Sequence, residues 1–214
     1  MAQLPLFEPG ESVLTDDERG RVAYTPRFVA ELLARAWFAE LRTAVSWQAE
    51  RRWMYDREVD VPRLTAHFDL TPGEPDGRVP GAVRQAAESV GARTAVPFNS
   101  VGLNLYRDGR DSVAAHNDHL DELVPGFPIV LVSLGATRRM TIRAKEPHRR
   151  VLHVDLESGS LLVMSYATQL HYTHGVPKTR APVGERISLA FRVRPAGGAS
   201  VGVYRRAREE GDSP

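Results

Sequence analysis

The sequence predicts an α+β chain that is mainly β, with a jelly-roll core (a double-stranded β-helix) and N-terminal helices packed on one of its sheets. Two observations carry this. After residue 95 the chain holds at least six segments that either alternate apolar and polar residues with a period of two or are continuously apolar. None is joined to the next by the helical crossover that parallel strands need, so the strands are expected to pair antiparallel in two facing sheets. The length of 214 residues suits one domain with a substantial core. Its expected parts are an N-terminal extension over 1–95, the jelly-roll core over 96–205 and a disordered tail over 206–214.

In chain order, Leu4, Leu6 and Phe7 are expected to pack on the core, and 12–14 and 21–24 read as short strands. Thr25-Pro26 resembles an N-cap followed by proline at the first helical position. A helix over 26–44 follows, with Phe28, Leu32, Leu33, Trp37 and Leu41 at helical spacing. Residues 46–60 interleave Arg51, Arg52 and Arg57 with Trp47, Trp53 and Tyr55. Such a mixture suits phosphate pairing and base stacking, and equally suits an irregular edge with plugging aromatics. A Pro/Gly loop over 71–78 precedes a helix over 80–92 with Val83, Ala86, Ala87 and Val90 inward. Residues 129–134 form a strand buried on both faces. Strands at 139–143, 150–156, 160–166 and 185–194 complete the core, and 197–204 offers one more edge.

Composition excludes several classes. The net charge is +1, so any nucleic-acid surface must be a local patch. Without cysteine there is no disulfide, thiolate metal site or cysteine nucleophile. No apolar run reaches spanning length and the N-terminus lacks a signal-peptide pattern. The default expectation is a cytoplasmic monomer with no membrane or protein partner.

The chemistry centres on residues 98–118. Val101, Leu103 and Leu105 alternate with Asn104 and Tyr106, as in a strand with two distinct faces. A polar turn over 107–111 places Gly109 where positive φ is expected. His116 and Asp118 follow, separated by one residue, so on an extended chain both point the same way. His174 is a candidate third ligand, with His171 as a competitor three residues earlier. Two histidines and one carboxylate leave three coordination positions open, the facial triad of non-haem Fe(II) oxygenases. In 186–192, Ile187, Leu189 and Phe191 bury one face while Arg186, Ser188, Ala190 and Arg192 share the other. A guanidinium is a forked donor suited to a dicarboxylate.

These pieces resemble the AlkB family of Fe(II)/2-oxoglutarate dioxygenases, which repair alkylated nucleic-acid bases. The matching segments are Val61-Pro-Arg63, Phe98-Asn-Ser100, Asn104-Leu-Tyr106-Arg-Asp-Gly109, His116-Asn-Asp118, Ser133-Leu-Gly-Ala136, Gly159 to Met164, His174-Gly-Val-Pro177 and Arg186 to Arg192. They run in the family's order from about Val61 to Arg194. The resemblance implies Fe(II) on His116, Asp118 and His174, and its His-x-x-Pro favours His174 over His171. It implies 2-oxoglutarate and O2 as cosubstrates. Arg186 and Tyr106 would hold the far carboxylate; Arg192 and Asn104 would support the metal end. Ser188 belongs to the same cosubstrate set. The implied reaction is oxidative dealkylation of N-alkylated bases in DNA, with RNA a further option, releasing aldehyde, succinate and CO2. The family places a nucleotide-recognition lid near 46–63, which nominates Trp53, Tyr55 and Arg63 as substrate contacts.

The sequence also departs from the family. The acidic residue expected two positions after the metal Asp is replaced by Leu120, with Asp121 and Glu122 just beyond. The base-stacking segment is shortened to 67–70, leaving Phe68 or His67 for that role. Ser188 and Ala190 stand for the usual Asn and Thr. Two alternatives stay open: an oxygenase acting on a small molecule or protein, and a non-catalytic jelly-roll binding protein.

Overall fold

The computed structural model describes residues 10–54, 57–71, 79–145 and 150–196, with backbone alone over 52–54 and 57–60. The expectations for Leu4, Leu6, Phe7, the side chains of Arg52, Trp53, Tyr55 and Arg57, the 72–78 loop and everything after 196 lie outside the described residues.

Two antiparallel sheets face each other. The larger contains β1 (Ser12–Asp17), β2 (Gly20–Thr25), β3 (Gln48–Met54), β4 (Arg57–Asp69), β5 (Ser100–Tyr106), β7 (Ile129–Gly135), β10 (Ser160–Met164) and β12 (Arg186–Arg192). Its order is β1-β2-β10-β7-β12-β5-β4-β3. The smaller has β6 (Val113–His116), β8 (Arg138–Ala144), β9 (Val151–Leu156) and β11 (Tyr172–Val176), in the order β6-β11-β8-β9. The jelly roll with helices on one sheet is as expected.

The larger sheet separates two apolar layers. Val101, Leu103, Leu105, Val130, Val132, Leu134, Ile187, Leu189 and Phe191 face the helices α1 (Glu31–Ala44) and α2 (Gly81–Thr94). The alternate residues of β5, β7 and β12 face the smaller sheet and its Met140, Ile142, Val154 and Leu156. Period-two alternation along each strand therefore divides the helix-side layer from the layer between the sheets.

Several expectations are corrected. Helix α1 starts at Glu31, not at 26. Thr25 ends β2, Arg27 takes positive φ, and the Val29 N–H donates to the Gly159 carbonyl, so the chain turns before it coils. The buried stripe is Ala34, Trp37 and Leu41; Leu32 is 81% exposed, outside the stripe. The 46–60 stretch contributes β3, an edge strand paired with β4 and irregular in register between Ala49 and Arg51, with Trp47 packed on the helix-side core, as the edge reading expects. The short β6 and β11 emerge only from their pairing. Gly109 does not need positive φ. A Cβ there would lie 2.5 Å from the Thr179 carbonyl oxygen, so glycine permits close backbone approach.

The phase of α1 is testable by urea unfolding. Leu41→Ala should cost about 2–5 kcal/mol, because it empties a fully buried site. Leu32→Ser should stay within about 0.5 kcal/mol of the parent protein.

Candidate metal centre and cosubstrate pocket

Pairing of β6 with β11 sets His174 directly opposite His116. Their ring centroids are 4.5 Å apart. Asp118 lies two residues beyond His116, and its Oδ1 is 3.9 Å from His116 Nε2. One ligand atom from each of His116, Asp118 and His174 lies within 4.8 Å of the other two. His174 is buried, whereas His171 is exposed at the end of α3 (Tyr166–His171), so the competition between them is resolved by burial.

The electrostatics suit a cation. Burial would raise the Asp118 carboxyl, but the Arg192 guanidinium and the two imidazoles hold it below the usual carboxylate range. Arg192 Nε donates to Asp118 Oδ2 at 2.6 Å. Burial pulls His174 down to about 4, and His116 adds to that pull. His116 is also lowered, chiefly by burial. Both imidazoles are thus neutral near pH 7, as metal ligation requires.

The second half of the pocket is built by register across the larger sheet. Arg186 sits opposite both Tyr106 on β5 and Gly135 on β7. It is 0% exposed, and its Nε donates to Ser133 Oγ at 2.9 Å. Nη1 and Nη2 have no hydrogen-bond partner among the described residues. A fully buried guanidinium with two unsatisfied amino groups is costly and calls for an anion. The Tyr106 ring lies 5.0 Å from Arg186 Cζ and 5.6 Å from Arg138 Cζ. Asn104 and Ser188 face each other one step along the same strands. Asn104 Oδ1 accepts from Arg63 Nε at 2.7 Å. These residues fit a metal ion with a chelating diacid: three ligands at one end, an unpaired fork at the other.

A family model described as the 2OG-Fe(II) oxygenase superfamily matches residues 21–192. The chain belongs to this superfamily, and within it to the AlkB family. The human DNA oxidative demethylase ALKBH2 is 38% identical over 112 residues, covering 49% of this chain and 43% of that protein. Human alpha-ketoglutarate-dependent dioxygenase alkB homolog 3 is 31% identical over 188 residues, covering 80% and 65%. The chain therefore spans less than two thirds of either relative. Among solved structures, OsALKBH1 superposes with a TM-score of 0.55 at 15% identity, covering 85% of this chain and 99% of that one. A Pseudomonas putida prolyl-4-hydroxylase gives 0.53 at 18%, covering 81% and 93%. At such identities these two show the fold alone.

For an AlkB-type chain the substrate side needs correction. Phe68 pairs opposite Val101, so it faces the helices and packs in that core, away from the metal. His67 is the residue of that segment on the cavity face, opposite Gly102, with Nε2 2.9 Å from Ser100 Oγ. Arg63, nominated for phosphate, is turned inward by its bond to Asn104 and a contact with the Ser112 carbonyl oxygen at 3.4 Å. Asp121 is exposed in a 3-10 turn, Leu120–Glu122, just after the metal segment. The side chains of Trp53 and Tyr55 are outside the described residues. Sequence reasoning missed Arg138, a buried arginine whose Nη groups donate to the carbonyls of Asp108, Asp111 and Pro177. It pins the loop between β5 and β6. Its signal was weak because Arg138 opens a strand where an exposed arginine reads the same.

The neutral histidines predict acid sensitivity of the metal-free protein. Burial, with Arg194 and Arg192 nearby, also takes His67 down to about 4. Between the ordinary 6.5 and about 4 the unfolded chain binds protons that the folded chain refuses. The melting temperature should therefore fall as pH drops through that window. Asp118 adds a further loss below its ordinary 3.8. Calorimetry should show a shallower decline in His67→Gln.

Proposed function

We propose that this chain is an Fe(II)- and 2-oxoglutarate-dependent dioxygenase that removes alkyl groups from ring nitrogens of DNA bases, releasing aldehyde, succinate and CO2. The observation that carries this reading is the clustering of His116, Asp118 and His174, tied through Asp118 to Arg192, with the unpaired, buried fork of Arg186 on the same face of β12. The names of the human relatives, a DNA oxidative demethylase and an alpha-ketoglutarate-dependent dioxygenase, support it.

Iron, the 2-oxo acid and O2 supply the oxidising chemistry when bound. The protein's residues supply placement. His116 and His174 arrive deprotonated, so they need not shed protons to ligate. Arg192 offsets the Asp118 charge and leaves one carboxylate oxygen for the metal. Arg186, with Tyr106, takes the far carboxylate, while Asn104 and Ser188 line the span between. Apolar residues of the two sheets keep water out, which strengthens each charge interaction. The alkylated base enters beside the face of β4 on which His67 stands, with Asp121 as a contact; Trp53 and Tyr55 are nominated as substrate contacts by the family resemblance alone. A duplex base must first leave its stack, at about a few kcal/mol. Residues 1–95 act as the recognition extension and 96–205 as the catalytic core. RNA is a further substrate in this reading, and the protein works as a cytoplasmic monomer. No helix among the described residues is long and apolar enough to cross a membrane.

The test is incubation with Fe(II), ascorbate, 2-oxoglutarate and oligonucleotides bearing 1-methyladenine or 3-methylcytosine. Succinate and formaldehyde should form together, and His116→Ala or Asp118→Ala should abolish both. Succinate without formaldehyde across the panel would refute nucleic-acid repair while leaving an oxygenase. Arg186→Lys keeps the charge but loses the fork. It should raise the KM for 2-oxoglutarate roughly 10- to 100-fold, as for loss of one charge-assisted hydrogen bond of about 1.5–3 kcal/mol.

A further inference from the structure

Helix α3 fills the connection between β10 and β11, immediately before His174. Its Thr168 and Gln169 are both 1% exposed. Buried polar groups need partners, and these have them in a directed chain. Thr168 Oγ1 donates to the Ser165 carbonyl at 2.6 Å. That commits the hydroxyl proton, so the oxygen can only accept from Gln169 Nε2, at 3.0 Å. The amide is thereby oriented, and its Oε1 accepts from the backbone N–H of Asp118 at 3.0 Å. The far end of α3 is tied down as well. Lys145 Nζ donates to the Gln169 carbonyl at 3.1 Å, and the Lys145 N–H donates to the His171 carbonyl at 2.8 Å.

We propose that Gln169 is a positioning residue for the metal centre. Asp118 lies beyond the last residue of β6, so the strand ladder does not hold it. Gln169 holds it instead, through the peptide N–H. Arg192 holds the carboxylate through Oδ2. With backbone and one oxygen both fixed, Oδ1 is left toward His116. The same amide belongs to the segment that leads into His174, so one side chain links the two stretches that carry ligands. Removing it frees the 117–118 segment to drift and weakens ion binding without touching a ligand. Groups that orient metal ligands typically contribute 10- to 100-fold in affinity. The inference rests on His116, Asp118 and His174 being the ligands.

Titration with Co(II), a redox-stable spectroscopic probe, tests this on the full chain. Gln169→Met keeps the length and removes the acceptor. It should weaken the Co(II) dissociation constant roughly 10-fold or more and alter the visible d–d bands. A merely structural role would lower the melting temperature of the metal-free protein and leave both readouts unchanged well below it. Thr168→Val removes the group that orients the amide and should shift both readouts the same way, by less. Wild-type affinity and spectrum in Gln169→Met would overturn the proposal while the metal site stands. If Gln169→Met does not fold, Thr168→Val decides alone: a shift supports the role, and wild-type values overturn it. Failure of the parent protein to bind Co(II), or equal binding after Asp118→Ala, would overturn the metal site and Gln169's role with it.

Discussion

The pairing of β6 with β11 is the constraint on which the rest of the site depends. It sets His116 opposite His174 and brings the two imidazoles onto one face. A slip of one residue would turn His174 to the opposite face of the smaller sheet. The register is irregular between His174 and Val176, and Gly175 occupies the irregularity. A Cβ there would meet the Val113 carbonyl oxygen at 2.9 Å, so glycine lets the two short strands close up beside the ligands.

Charge is distributed unequally along β12, and the inequality suits the pocket. Arg192 is matched to Asp118, so the metal end is nearly neutral within the protein. Arg186 is matched to nothing anionic, although it is the more deeply buried of the two. Burial pulls Arg186 below its ordinary value, with the Tyr106 phenol acting the other way. Such an arrangement costs stability in the free protein and favours a bound carboxylate. The helices matter indirectly. By covering the outer face of the larger sheet they let every second residue of β5, β7 and β12 be apolar, which frees the other face for polar groups.

Much of this was legible from local pattern. The alternation in 100–106 and 186–192 separates Leu103 and Leu189 from Asn104 and Arg186, because strand periodicity alone decides which residues share a face. The β3–β4 hairpin was less legible: Arg51, Arg52 and Trp53 lack the alternation that marks a strand with one buried face, and the sheet edge supplies the pairing. The first helix was misphased for a different reason. Phe28 and Leu32 fit a helical period, but a turn held by Val29 and Gly159 lies between them. Phe68 and His67 show the limit most sharply. Adjacent residues on a strand face opposite ways, and only the register with β5 decided which of the two turns from the helices to the face between the sheets.

The amino-acid sequence determined by itself the strand-rich core, the absence of thiol chemistry, the ligand types and the two arginines, because each follows from composition, spacing or period. Tertiary structure alone decided that Arg186 is unpaired, that Arg63 turns inward and that Gln169 grips Asp118. Those depend on which strands lie side by side and in what register. Pairing between segments far apart along the chain is set by the packing of the whole, and no local pattern encodes it.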